Sequence, residues 1–166
     1  MGRKEGGEAV TGRERVEAVL AGKIPDRVPH FELVFQLGPE AFGLDYPTPA
    51  ELERATPKER EALKERYFHM WELVIERYGW DAIQVPVDLC GYFGDQMIPE
   101  ARRRFGERVC IFDFNGQGTF WMLPGNDMME FTIKLFERRE ELHREARQKV
   151  RDSIALARRQ IDQGVD

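Results

Sequence analysis

A short pattern that occurs twice sets the strongest limit on how this chain folds. Glu76-Arg77-Tyr78-Gly79-Trp80-Asp81 and Ile161-Asp162-Gln163-Gly164-Val165-Asp166 share one form: helix end, glycine, apolar residue, aspartate. The first copy leads into Ala82 to Val87, where Ile83, Val85 and Val87 alternate with Gln84 and Asp88 as they do in a strand. By the same pattern, another strand is expected to start at Asp166. Strands alternating with helices join by right-handed crossovers into a parallel sheet, which is covered on both faces or closed into a barrel. A complete eight-stranded β/α barrel takes about 250 residues, and this chain has 166. The expected class is therefore α/β, an incomplete (β/α)8 TIM-type barrel of about three parallel strands with covering helices.

The remaining elements follow from caps and periodicity. Thr11-Gly12-Arg13-Glu14 has capping-box spacing and opens a helix whose Val16, Val19 and Leu20 share a face, until Gly22 and Pro25 stop it. Val28 to Phe35 alternates Phe31, Leu33 and Phe35 with His30, Glu32 and Val34, a strand pattern. Thr56-Pro57-Lys58-Glu59 opens a second helix, with Leu63, Tyr67, Met70, Trp71, Val74 and Tyr78 as its buried stripe and Gly79 as its end. A third strand is expected at Val109 to Phe114, running into the turn Asn115-Gly116-Gln117-Gly118. From Asn126 the pattern is helical to the end, and Leu142, Ala146, Val150, Ile154, Ala157 and Ile161 form one apolar face. Residues 1–10 read as a flexible leader and 11–166 as the folded domain.

Charge and cysteine usage narrow the function classes. With 25 Lys and Arg against 30 Asp and Glu, the net charge of −5 argues against a nucleic-acid surface, which needs a concentrated positive field. No run approaches the roughly 18 apolar residues of a membrane span, and Met1 to Val10 lacks an apolar targeting core. Cys90 and Cys110 stand apart without a CxxC partner, so neither a disulfide framework nor a local zinc knuckle is indicated, and a reducing cytoplasm is expected.

Thr11-Gly12-Arg13-Glu14-Arg15-Val16 through Ile24-Pro25-Asp26-Arg27-Val28-Pro29 resembles the opening of uroporphyrinogen decarboxylase superfamily proteins. Asp81 to Asp88 is similar to that family's second strand, and Gln160 to Asp166 to the helix end before its fourth. The resemblance implies the N-terminal half of a β/α barrel whose site lies at the C-terminal strand ends. It also implies one of two chemistries, decarboxylation of a tetrapyrrole in haem biosynthesis or methyl transfer to and from corrinoid proteins and thiols. The decarboxylases grip substrate carboxylates with arginines after the first strand, where this chain has Val34-Phe35-Gln36-Leu37-Gly38. Their tyrosine after the third strand falls near Leu123-Pro124, with no tyrosine nearby. A polyanionic tetrapyrrole without a cationic clamp is poorly held, which favours the methyltransferase branch. In that branch zinc and a corrinoid protein serve the complete enzyme, the zinc ligands come from late strands, and this chain alone is inactive, docking to the missing half-barrel.

Asp88 is the candidate catalytic residue. Its position alone suits a strand-end carboxylate or the cap of the next segment equally, and the resemblance assigns it the central aspartate's role as hydrogen-bond acceptor. Candidate substrate contacts are His30 and Glu32, which also suit a structural hydrogen bond, and Gln36 and Asn115, the latter also explained by its turn. Asp113 is equally open. No metal ligand is expected here, since Cys90 reads as a small apolar group and His69 and His143 lie on separate helices. Arg102-Arg103-Arg104 reads as the wet side of a helix, and Phe120-Trp121-Met122 as core packing. A further class remains open: a non-catalytic module that associates with itself through unpaired strand edges or uncovered helix faces.

Overall fold

The computed structural model describes residues 9–32, 35–85, 92–93, 96–113 and 125–166. They form two units, one of residues 1–114 with 163–166 and a second of residues 115–162. Seven helices and two strands carry the described residues: α1 (Gly12–Leu20), α2 (Gly38–Phe42), α3 (Pro49–Arg54), α4 (Pro57–Tyr78), β1 (Ala82–Gln84), α5 (Met97–Phe105), β2 (Cys110–Phe112), α6 (Asn126–Glu137) and α7 (Arg139–Gln163).

This corrects the expected incomplete barrel. Among the described residues 66% are helical, and one small sheet holds two parallel strands where three were expected. The strands pair in the register Ala82 to Cys110, Ile83 to Ile111 and Gln84 to Phe112. Val28 to Phe35 does not form the first strand in its described part, for a reason visible in its hydrogen bonds. The His30 carbonyl accepts from Asp81 N at 2.7 Å, but the His30 amide donates to the Asp81 side chain, Oδ2, instead of to a backbone carbonyl. The Val28 carbonyl accepts from the Arg27 side chain at 3.1 Å, and Pro29 has no N–H to give. Side chains thus take the groups that a ladder would need, and pairing stops after one backbone bond.

The helix starts follow the sequence closely. Capping boxes are formed at Thr11 with Glu14, at Thr56 with Glu59, and also at Thr48 with Glu51, a third copy of the motif that opens α3. Gly79 ends α4 in the left-handed conformation, φ 64°, where its N–H reaches the Ile75 carbonyl. The expected single C-terminal helix is broken at Arg138, whose φ of −128° and ψ of 42° separate α6 from α7.

The core of the first unit joins α4, α5 and the two strands. Tyr67, Phe68, Met70, Trp71 and Val74 of α4 are buried together with Ile83, Met97, Ile98, Phe105, Val109 and Ile111. The α4 stripe is thus largely as expected, except that Leu63 is half-buried and Tyr78 exposed. In α1 burial is confined to the start of the helix. Gly12 and Arg15 are the buried residues, while Val19 and Leu20 are 49% and 82% exposed.

Candidate functional site

The start of the two strands is closed by a network of charges. α1 lies across it because Gly12 has no side chain: a Cβ there would stand 2.6 Å from Asp81 Cα and 2.8 Å from the Arg108 carbonyl oxygen, which accepts from Gly12 N. That close approach aims Arg15 at Asp81, whose side chain is 1% exposed. Arg15 Nη1 lies 3.1 Å from Asp81 Oδ1, while its Nε and Nη2 hold both oxygens of Asp26 at 2.7 and 2.9 Å. Arg27 grips Asp81 from the other side, Nη1 to Oδ2 at 2.5 Å and Nη2 to Oδ1 at 2.8 Å. With the His30 amide, the buried carboxylate has four N–H donors, which compensates its desolvation. The Arg15 guanidinium is held above its ordinary pKa, first by the hydrogen bond to Asp26, against burial, and then by that to Asp81.

Asp166, the second copy of the aspartate, repeats this arrangement within the same unit. Its N–H donates to the Ile111 carbonyl at 2.9 Å, and its Oδ2 accepts from Ile111 N at 2.8 Å. Arg102 Nη2 lies 2.7 Å from Oδ2 and Arg13 Nη2 lies 2.9 Å from Oδ1. Arg102 also donates to the Gly164 carbonyl, from Nε at 2.9 Å. Each aspartate therefore mimics a strand's backbone pairing and is clamped by two arginines, one of them from α1. Arg102 and Arg104 are accordingly not the wet side of a helix: both are half-buried, and the Arg104 guanidinium lies 4.6 Å over the Phe68 ring.

In an open α/β sheet, ligands bind beyond the carboxyl ends of the strands. The arginine–aspartate clusters lie at the opposite end, with their charges mutually compensated, and so serve the fold. Asp88 and Asn115 follow the carboxyl ends of β1 and β2 in sequence but lie outside the described residues. His30, Glu32 and Gln36 are described and exposed, and among the described residues no hydrogen bond or ion pair joins them to one another. A concavity beside His30 and Glu32 in sequence is apolar: a groove of about 410 Å³ lined by Val16, Val19 and Leu20 of α1 with Pro25, Val28, Pro29 and Phe31. Phe31 also packs edge-on against Phe112 of β2, ring centroids 5.3 Å apart.

Among the described residues no group of three or more His, Cys, Asp and Glu side chains converges. The Cys110 thiol is pushed up to about 11 by burial, then by the nearby Asp166 charge, so at neutral pH it is a protonated apolar group and not a thiolate ligand. His69 is exposed, 3.5 Å from Glu72 on its own helix. Among the described residues no helix is long and apolar enough to cross a membrane.

The six residues that organise the strand starts, Arg13, Arg15, Arg27, Asp81, Arg102 and Asp166, were absent from the candidate list. The signal for the two aspartates is the doubled Gly-apolar-Asp pattern. Comparison of the chain with protein-family models, with curated proteins and with solved structures finds no match.

Proposed function

We propose that this chain is part of a uroporphyrinogen decarboxylase-superfamily enzyme of the corrinoid-linked methyltransferase kind, cytoplasmic, and inactive in methyl transfer by itself. The observation that carries the reading is the meeting of two of the three segments on which the resemblance rests. Arg15, Asp26 and Arg27 from the opening segment join Asp81, the first residue of the strand segment, in one hydrogen-bonded cluster.

The choice of methyl transfer over decarboxylation is supported by the sequence Val34-Phe35-Gln36-Leu37-Gly38, which offers no arginine where the decarboxylases grip substrate carboxylates, so a polyanion lacks its clamp. In this reading Asp88 accepts a hydrogen bond from the substrate, His30, Glu32, Gln36 and Asn115 contribute contacts, and zinc and the corrinoid protein come with the rest of the enzyme.

The test is an assay of methyl transfer from a methylated corrinoid protein to a thiol, with zinc supplied. It compares the chain alone with the chain extended by whatever its reading frame encodes beyond Asp166, and a parallel assay offers uroporphyrinogen. Transfer by the extended form only is expected. Turnover by the chain alone, or conversion of uroporphyrinogen by either form, defeats the reading.

A further inference from the structure

We draw no further inference here: the strongest candidate, the apolar groove between α1 and the segment from Pro25 to Phe31, carries nothing because nothing in the structure shows what covers it.

Discussion

An ionised carboxylate taken out of water costs several kcal/mol unless donors replace the lost hydration. For Asp81 the replacement is complete: two arginines and the His30 amide. Asp81→Ala is expected to destabilise the first unit by about 2 kcal/mol, because it leaves Arg15 Nη1 and the His30 amide without their acceptor while Asp26 still pairs the Arg15 charge. Arg27→Ala is expected to cost about 1 kcal/mol, since that side chain is 42% exposed and water takes over part of its role. Urea unfolding of the two variants checks the order. Glu100 gives a pH signature. Its carboxyl is held down to about 2, first by the Arg103 hydrogen bond, against burial, and then by Arg104. A carboxylate whose folded pKa is depressed contributes stability above its ordinary value of 4.5 and loses it as pH falls towards about 2. Glu100→Gln is expected to flatten the stability profile across that acid window and leave the slope near neutrality unchanged. At this scale the sequence showed Asp81 only as the opening of a strand. Its partner Arg15 was hidden because arginine on a surface helix ordinarily reads as solvated, and Arg27 because it lies in the link after α1 with no local pattern tying it to Asp81.

Helix α1 shows why element existence was easier to read than element burial. Its start was legible from Thr11 and Glu14, since a capping box is a local bonding pattern. How much of it is buried was not, because Gly12, Arg15, Val16 and Val19 share one face by spacing, yet only the first turn meets the strand ends and the last turn leaves Val19 and Leu20 exposed. Gly12→Ala is expected to destabilise by about 2 kcal/mol despite alanine's better helix propensity, because the added carbon meets backbone atoms at 2.6 to 2.9 Å that cannot swing aside. Thermal unfolding checks the sign, and stabilisation by this substitution would contradict the close approach. Of the three expected strands, two form among the described residues and Val28 to Phe35 does not in its described part, as alternation reports which side chains suit a sheet and not which backbone groups find partners. The break at Arg138 carries no proline or glycine and leaves no local mark in the sequence.

Across the whole molecule, the doubled aspartate motif forecast more than the hydrophobic pattern did. It correctly tied Asp81 and Asp166 to one kind of position, although the barrel inferred from it is corrected to a two-stranded sheet. The candidate catalytic position Asp88 and the candidate contact Asn115 remain readings of sequence alone, while His30, Glu32 and Gln36 are exposed and not gathered into a cluster. Asp166→Ala removes the contacts with Arg13, Arg102 and the Ile111 amide. Hydrogen exchange at Ile111 is expected to accelerate by about tenfold or more, corresponding to the loss of a charge-assisted bond of about 1.5 to 3 kcal/mol. Unchanged protection would show that the tail is dispensable to the sheet.

That tail has a temporal implication. Residues 163–166 belong to the first unit but follow the entire second one along the chain. A ribosome therefore releases the amino-terminal body with Arg13 and Arg102 still lacking their shared carboxylate. Its final locking waits until about fifty further residues have been synthesised, several seconds at ordinary elongation rates. During that interval the edge of β2 is open to whatever chaperone or neighbouring polypeptide reaches it first.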